Sequence, residues 1–460
     1  MSLRLTIIFG FFVVLLTSTS TLANTPVSSN PEADKEYRSG IQFLLKHHYT
    51  TAESHMLKAI QLDPKNGKIH WETGWVYWQM KNWPKVIQHW EKTLLYTPEQ
   101  KDLKKFLTLA YQYQRWEETS DTADQVQSVA SGSFSSKSGQ ITLVATGDIM
   151  MGSDFNPKKK LPKNNGSNLF DEVEDYLKGD LVFGNLEGPL TRVELSDKCK
   201  PGKKCYAFRT PPSYSANLRK AGYNVLNLAN NHTLDFGLEG LTETQEALAD
   251  QNIFYFGSAD KPYIITETNG IKVAFIGVAT TYCCVHIDQI DKTSRWVKML
   301  KEKADLVVVS FHAGAEGLDA AHTPEGTEYY FGENRGDVRK FSQTMIDAGA
   351  DLLLGHGPHS LRGMELYKGK LIAYSLGNFM GYLGFSTSGH LQYSLILRVT
   401  LDQEGNLLET KITPIVFSPR VIPQYDPKGR AIILLNDLGA ADFKANAVQF
   451  DRLGYGRLKQ

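Results

Sequence analysis

Residues 223–237, YNVLNLANNHTLDFG, begin as an alternating apolar run and end in two amides and an imidazole. Asparagine favours turns and helix starts, so these polar residues could simply turn the backbone. The alternative is that the run is a buried strand whose last residues lie at the carboxyl edge of a sheet and face a metal ion or a phosphate. Only the second interpretation requires other strands to end in the same way.

Five further apolar runs end in side chains that can bind a metal ion. These side chains are Asp148 after ITLVAT, Asn185 and Glu187 after DLVFG, His312 after VVVSF, His356 and His359 after DLLL, and Asn378 after LIAYSL. In α/β sheets the loops at one end of the strands form the binding crevice, so residues far apart in sequence can converge. Carboxylate, amide and neutral imidazole groups form the mixed oxygen and nitrogen set that binds Mn, Zn or Fe. The pattern therefore predicts a site for divalent metal.

In order and spacing, these pieces resemble the capsule-synthesis CapA branch of the calcineurin-like metallophosphoesterases, also called poly-γ-glutamate synthesis proteins. The resemblance covers about residues 141–416 and is carried by TGDIM, GNLE, LANNHTLDFG, FHAGAE, AGADLLLGHGPH and IAYSLGNF. It implies an α+β chain whose main domain is a four-layer αββα sandwich, in which two sheets are flanked by helices and a metal centre lies at the strand ends.

Carried over position by position, the resemblance also implies roles for individual residues. His232 matches a histidine that protonates a leaving group or orients a phosphate, and the first of these roles is worth roughly 10²–10⁴-fold in rate. Asp235 could orient His232 from the same loop, or could instead cap the following helix. The implied metal ligands are Asp148, Glu187, Asn231, His312, His356 and His359.

The sequence departs from the wider superfamily at two of these positions. Asp148-Ile149-Met150 stands where an Asp-x-His motif is usual, so a thioether replaces one nitrogen ligand. Asn185-Leu186-Glu187 stands in place of Gly-Asp-x-x-Asp. Both departures bear on whether the centre holds two metal ions or one.

Four residues are predicted to contact the substrate. Arg209, in YAFRTPP, is the candidate for holding an anionic substrate, because a guanidinium matches carboxylate and phosphate geometry. Its alternative role is a surface ion pair. Asn185, Glu316 and Asn378 would complete the site wall or support the ligands from behind.

The first third of the chain carries an internal repeat of about 34 residues, which is typical of helix-turn-helix arrays. Over residues 33–126 the pattern resembles the tetratricopeptide repeat, with two good copies and a degenerate third. Such arrays present a groove to another protein, so we expect a protein partner. The spacing aligns Gly40 with Gly74, Met56 with Trp90, and Pro64 with Pro98. Scattered histidines of this region are expected to be surface or packing groups: His47, His48, His55, His70 and His89.

The composition of the remaining segments indicates a signal peptide and a linker. Residues 1–23 have the basic, apolar and small-residue order of a signal peptide, with an uncleaved membrane anchor as the alternative. Residues 127–139 are rich in Ser and Gly and indicate a linker. The sandwich domain is expected at 140–420. The structure of the extension at 421–460 is left open, with IILL and VQF as candidates for edge strands or a small closing element.

Charge and cysteine content limit which partners and which cellular compartment are expected for the protein. Fifty basic residues balance fifty acidic ones, so no nucleic-acid partner is expected, and membrane association is expected only through an uncleaved N-terminal segment. We expect export to the periplasm, the cell surface or the medium. An exported protein can oxidise its thiols, and Cys199 and Cys205 are spaced for a local disulfide. Cys283 and Cys284 are adjacent and their state is left open.

Two functions are compatible with these features. The first is an exported metal-dependent hydrolase acting in capsule or envelope polymer metabolism, on a phosphoester or on an amide of a poly-γ-glutamate-like polymer. The second is a non-catalytic assembly or export factor that uses the fold to bind the polymer and the repeats to recruit partners. Loss of the Asp-x-His histidine favours the second, whereas the retained Asn231, His232 and later histidines favour the first. We favour the enzyme, with an anionic polymer or phosphoester as substrate.

Overall fold

The computed structural model describes residues 26–119, 126–128, 136–155, 160–196, 198–199, 205–281 and 283–457. The chain divides into two compact units, Met1–Glu117 and Glu118–Gln460. The predicted signal segment lies outside the described residues. Across these described ranges, none of the helices combines the length and the apolar character needed to cross a bilayer.

The first unit is helical where it is described. Its helices are α1 (Pro31–Leu45), α2 (Tyr49–Leu62), α3 (Gly67–Gln79), α4 (Trp83–Tyr96) and α5 (Leu103–Thr119). Asparagine side chains accept backbone N–H groups at the starts of α1, α3 and α4, which satisfies donors that a helix leaves unpaired. α1 packs against α2, and α3 packs against α4.

The residues that the repeat aligns make equivalent contacts in the two helix pairs. A Cβ added at Gly40 would lie 3.0 Å from Met56 Cγ, and one added at Gly74 would lie 2.0 Å from Trp90 Nε1. Each glycine therefore lets its helix approach a bulky side chain of the next helix. The helical repeat agrees with the expectation from spacing, and its assignment as a tetratricopeptide repeat stays a prediction.

Two of the histidines in this unit form a buried pair. His70 Nδ1 lies 2.9 Å from His89 Nδ1, and His70 Nε2 donates to the Pro64 carbonyl at 3.0 Å. Burial lowers the pKa of His89 to about 3, and the neighbouring His70 adds to the effect. Both rings are therefore neutral packing groups near neutral pH.

Acidification is expected to destabilise the helical unit through His89. An unfolded histidine titrates near pH 6.5, so the stabilisation is complete above that pH and is lost as the pH falls towards 3. At pH 5 we expect a loss of about 2 kcal/mol in the free energy of unfolding relative to pH 7.5. Denaturant unfolding followed by tryptophan fluorescence measures it, because all but one of the 7 tryptophans precede residue 118. His89→Gln should remove most of the pH dependence, and an equal acid loss in that variant would contradict the assignment.

The second unit is built from strands and a smaller set of helices. Its helices are α6 (Ser215–Lys220), α7 (Gly237–Ala249), α8 (Ile290–Lys301), α9 (Val338–Asp347) and α10 (Arg430–Phe443). In chain order its strands are β1 (Val126–Ser128), β2 (Gln140–Met150), β3 (Leu181–Leu186), β4 (Val225–Asn227), β5 (Phe254–Phe256), β6 (Tyr263–Thr268), β7 (Ile271–Ala279), β8 (Val285–His286), β9 (Leu306–His312), β10 (Tyr329–Tyr330), β11 (Glu333–Asn334), β12 (Leu352–His356), β13 (Met364–Tyr367), β14 (Lys370–Ala373), β15 (Asn378–Gly381), β16 (Tyr393–Asp402), β17 (Leu407–Phe417), β18 (Pro423–Tyr425), β19 (Gln449–Phe450) and β20 (Gly456–Arg457).

Most of these strands form two sheets that pack face to face. One sheet has the order β1-β6-β7-β9-β12-β14-β13 with β8 beside β7, and the other has the order β18-β17-β16-β2-β3-β4-β5 with β15 beside β2. Phe183 of β3 and Phe275 of β7 stack between them with ring centroids 6.2 Å apart. Apolar residues of α6 and α7 pack on the outer side of the β2 sheet, and α8 and α9 pack on the β9 sheet. The predicted four-layer αββα sandwich is confirmed.

The remaining boundaries differ from the expectations in two places. Part of the predicted linker forms β1, which pairs in parallel with β6. The IILL segment lies in α10 and is not an edge strand, because its buried residues recur at helical spacing and pack into the core between the sheets. VQF does contribute a strand, β19.

The described cysteines are all paired. Cys199 bonds to Cys205, in agreement with the expected local disulfide, and Cys283 bonds to the adjacent Cys284. Cys283 and Cys284 are buried beside Ala229 and Ala279, behind the loop that follows β4.

Candidate metal centre

Strand pairing brings the predicted ligands to one end of the sandwich. Asp148 at the end of β2 lies beside Asn185 of β3 on one side and Asn378 of β15 on the other. In the facing sheet, His312 at the end of β9 is paired with His356 of β12. The carboxyl ends of parallel strands thus supply the site, as the sequence pattern predicts.

Asp148, Glu187 and His312 form the centre of this site. One ligand atom from each lies within 4.8 Å of the other two, and all three side chains are buried. His312 Nε2 is 3.6 Å from Glu187 Oε1, and His312 Nδ1 is 3.9 Å from Asp148 Oδ1. The three side chains come from different strand ends and meet only in the folded chain.

Several polar atoms of this group are buried without a hydrogen-bond partner among the described residues. They are Asp148 Oδ2, both Glu187 carboxylate oxygens and His312 Nε2; Asn231 Oδ1, on the loop after β4, is likewise buried without a partner. Burying such groups unpaired is costly, and a cation among them would remove the cost. Carboxylate oxygens with an imidazole nitrogen form a donor set for a divalent ion. The residues present therefore fit a divalent metal ion.

Burial and neighbouring charges shift the pKa values of Glu187 and His312. Burial raises the pKa of Glu187 well above its ordinary value; the charge of His359 opposes the shift, and the charges of Asp148 and Glu316 add to it. Burial lowers the pKa of His312 well below its ordinary range. Neutral imidazole is the form that binds a metal, and a nearby cation would favour the ionised form of Glu187.

His359 lies at the edge of the group and is only one-fifth exposed. It adopts a left-handed backbone conformation with φ of 58°, which is uncommon for a residue other than glycine. Its Nδ1 lies 2.8 Å from Asn378 Oδ1, and its Nε2 is 3.7 Å from Glu187 Oε1. Burial alone would lower the pKa of His359, but the carboxylates of Glu187 and Asp148 raise it to about 10.

His356 is turned away from this group. Its Nε2 donates to the Thr146 carbonyl at 3.2 Å, and its buried Nδ1 has no partner among the described residues. Burial lowers the pKa of His356, so the ring is neutral. A role for His356 as a metal ligand stays a prediction.

His232 and Asp235 form a second pair beside the centre. His232 Nδ1 lies 2.8 Å from Asp235 Oδ2, and Asp235 is fully buried. The residue that precedes α7 is Phe236, so Asp235 does not cap the helix and instead orients the imidazole. Lys198 Nζ is 3.0 Å from the other carboxylate oxygen of Asp235. Burial lowers the pKa of His232, and Asp235 opposes the shift.

Asn185 connects the ligand Asp148 to a network of buried amide side chains. Its Nδ2 donates to Asp148 Oδ1 at 2.8 Å, and its Oδ1 accepts from Asn227 at 3.0 Å and from Asn230 at 3.3 Å. This buried amide network fixes the orientation of Asp148. Direct substrate contact by Asn185 stays a prediction, because the side chain is fully buried.

The other predicted substrate-binding residues make defined contacts within the protein. Arg209 Nε donates to Asp154 Oδ1 at 2.6 Å and its Nη1 donates to the Val193 carbonyl at 2.9 Å, which corresponds to the ion-pair alternative. Glu316 Oε1 is 2.8 Å from Arg335 Nη2, and Glu316 Oε2 is 3.9 Å from His359 Nε2. Substrate binding by Arg209 or Glu316 is a prediction that these contacts leave open.

Sequence reasoning missed two residues that shape the site. Arg335 is 2% exposed and lies 2.8 Å from Glu316, but it does not follow any of the apolar runs that mark the predicted strands. Lys198 contacts the His232 loop and lies next to Cys199, whose disulfide was the available signal. Neither residue type stands out in a search for metal ligands.

Comparison with known proteins adds a family-level likeness. A family model described as bacterial capsule synthesis protein PGA_cap matches residues 142–382. The chain is 31% identical over 283 residues to the capsule biosynthesis protein CapA of Bacillus anthracis, which covers 56% of this chain and 64% of that protein. It is 30% identical over 270 residues to the PGA biosynthesis protein CapA of Bacillus subtilis strain 168, a match that covers 54% of this chain and 66% of that protein. The chain thus spans less than two thirds of the length of these curated relatives.

Solved structures with detectable likeness are more distant. A 5'-nucleotidase precursor from Thermus thermophilus has a TM-score of 0.35 and 16% identity, covering 64% of this chain and 58% of that one. The purple acid phosphatase PPD1 from yellow lupin has a TM-score of 0.33 and 12% identity, covering 61% and 52%.

Proposed function

The chain belongs to the bacterial capsule synthesis protein family PGA_cap, and from that premise we propose that it is an exported metal-dependent hydrolase. Its substrate would be an anionic polymer or a phosphoester of the capsule or cell envelope. The observation that carries the proposal is the buried group of Asp148, Glu187 and His312, whose unpaired ligand atoms lie beside the ordered His232–Asp235 pair. The helical unit would bind a protein partner.

The centre would hold one or two divalent ions, with Mn, Zn or Fe as candidates. Asp148, Glu187 and His312 would be the first ligands, and Asn231 and His359 are further candidate donors. A bound divalent ion supplies Lewis-acid polarisation of a phosphoryl or carbonyl oxygen and lowers the pKa of a coordinated water towards neutrality.

The protein's own residues would then control orientation and proton transfer. His232, held by Asp235 through Nδ1, would present Nε2 to a leaving group and, in its doubly protonated imidazolium form, donate the Nε2 proton to it. Asn378 fixes the ring of His359, so that its Nε2 faces the carboxylates and an anionic oxygen bound there. Burial of these groups strengthens each electrostatic contact relative to water.

One observation favours the second candidate, a non-catalytic assembly or export factor. The Met150 Sδ accepts the Gly152 N–H at 3.2 Å, and its methyl group would lie 2.0 Å from a Cβ at Gly384. Met150 is therefore a packing residue where the resembled superfamily carries a histidine ligand. A centre that lacks this ligand could bind a polymer without cleaving it.

Metal content and turnover distinguish the two candidates. We expect the purified chain to contain about one or two divalent ions, and to hydrolyse a chromogenic phosphodiester or shorten poly-γ-glutamate in the presence of Mn²⁺. Chelation should abolish turnover and re-addition of Mn²⁺ should restore it. Elemental analysis and product analysis are the measurements. Absence of turnover of both substrates, with or without bound metal, would contradict the hydrolase and favour the assembly factor.

A further inference from the structure

Two phenyl rings lie against the two histidines that border the centre. The ring of Phe208 has its centroid 4.3 Å from that of His232, and the ring of Phe385 has its centroid 5.2 Å from that of His359. The two phenyl rings are 6.0 Å apart in an edge-to-face arrangement. Both phenylalanines are half-buried. Phe208 and Phe385 are called the aromatic wall below.

Phe208 is fixed to the His232–Asp235 pair through its backbone. Its N–H donates at 2.8 Å to Asp235 Oδ2, the same oxygen that contacts His232 Nδ1. A Cβ added at Gly188 would lie 3.2 Å from Phe208 Cβ. The backbone that follows β3 therefore packs closely against Phe208. The ring position is therefore set by the same carboxylate that orients the imidazole.

Phe385 is held in position by contacts with Gly381 and by the packing of Met150 against Gly384. Its N–H donates to the Gly381 carbonyl at 3.2 Å, and a Cβ at Gly381 would lie 2.2 Å from the phenyl ring. The contact between Met150 and Gly384 supports the segment that carries Phe385. The residue that departs from the superfamily motif therefore helps to build an apolar surface beside the centre.

Half-buried phenyl surface at this position contacts water until a ligand covers it. A ligand group that reaches His232 and His359 brings its organic substituent next to the aromatic wall, and covering apolar surface favours binding. An inorganic phosphate or a methyl substituent would leave most of that surface exposed. Aromatic substituents would also gain from edge-to-face contacts with the two rings.

We infer that Phe208 and Phe385 determine specificity by selecting substrates whose reacting group carries an aromatic or extended aliphatic substituent. This inference rests on the proposed function for the bond that is cleaved. The binding preference itself depends only on the wall and the centre, and it can be measured without turnover.

The preference of the aromatic wall can be tested by calorimetric titration of the full chain with Mn²⁺ present. The titration compares the Kd values of two phosphonates that share a head group and differ in their organic substituent. Phenylphosphonate is expected to bind with a Kd at least about tenfold lower than methylphosphonate. In a Phe208→Ala, Phe385→Ala double variant the two Kd values should agree within about twofold, with methylphosphonate little affected. Tyr425→Ala, which removes an exposed ring at the sheet edge, should keep the wild-type ratio.

The inference is overturned by equal Kd values for the two phosphonates in the wild-type protein, by an unchanged ratio in the double variant, or by binding of neither compound. If the double alanine variant does not fold, the corresponding double leucine variant serves, and its ratio should fall at least about twofold. A phenyl preference in a protein without turnover would support the wall and contradict the hydrolase, so the two proposals fail separately.

Discussion

Asp148→Asn is expected to remove the bound divalent ion and to lower turnover of a phosphodiester by at least about 10³-fold. The substitution replaces a buried anionic ligand by a neutral amide, which binds divalent ions weakly. Asn185 can still donate to the new side-chain oxygen, so the amide network below the site is retained. Elemental analysis of the purified variant and kcat/KM with saturating Mn²⁺ are the measurements.

The same variant should not respond to metal in thermal unfolding, whereas the wild type should. Without metal, Asp148→Asn is expected to be less stable than the wild type, because Asp148 pairs with the charged His359, whose Nδ1 lies 3.4 Å from Asp148 Oδ2. With Mn²⁺, only the wild type should gain in Tm, since a ligand stabilises the state that binds it. Asp351→Asn is the matched control: Asp351 is equally buried but pairs with Lys301 and Lys370, so its loss should lower stability and leave metal content unchanged. Full metal occupancy in Asp148→Asn would place the metal elsewhere.

The convergence of the ligands could be predicted from the sequence, but their directions could not. Every predicted strand end does lie at one end of the sandwich. The pairing of β2 with β3 shifts register between Ala145 and Asp148, and such a bulge changes the face to which the following side chain points. Gly147 allows this, because a Cβ there would lie 2.0 Å from the Gly377 carbonyl oxygen. Alternation of apolar residues contains no signal for that shift.

His312 and His356 show the same limit. They are paired residues on neighbouring strands, yet only His312 joins the Asp148 and Glu187 group, while His356 donates to the backbone of β2. For His356 the difference is the hydrogen bond to the Thr146 carbonyl of the facing sheet, which alternation in the sequence does not predict. Arg209 differs for another reason: its partner Asp154 is 55 residues away, and pairing between loops leaves no local pattern.

Replacing His232 by glutamine is expected to lower turnover in a way that depends on the leaving group. A general acid matters most when the departing oxygen or nitrogen is strongly basic, so substrates with alkoxide or amine leaving groups should lose about 10²–10⁴-fold. A p-nitrophenyl ester, whose leaving group is weakly basic, should lose far less. Rates for a series of phosphodiesters that differ only in leaving-group pKa provide the measurement, and the variant should show a steeper dependence than the wild type.

Asp235→Asn separates the role of the pair from that of the metal. Asp235 accepts from His232 Nδ1 and from the Phe208 N–H, so an amide at this position can keep the loop in place but no longer stabilises a charged imidazole. We expect an intermediate loss for basic leaving groups and an unchanged metal content in both variants. A uniform loss across all leaving groups would mean that His232 orients the substrate and is not the acid. Loss of metal from His232→Gln would instead make the imidazole a ligand, and the proton donor would have to be sought elsewhere in the site.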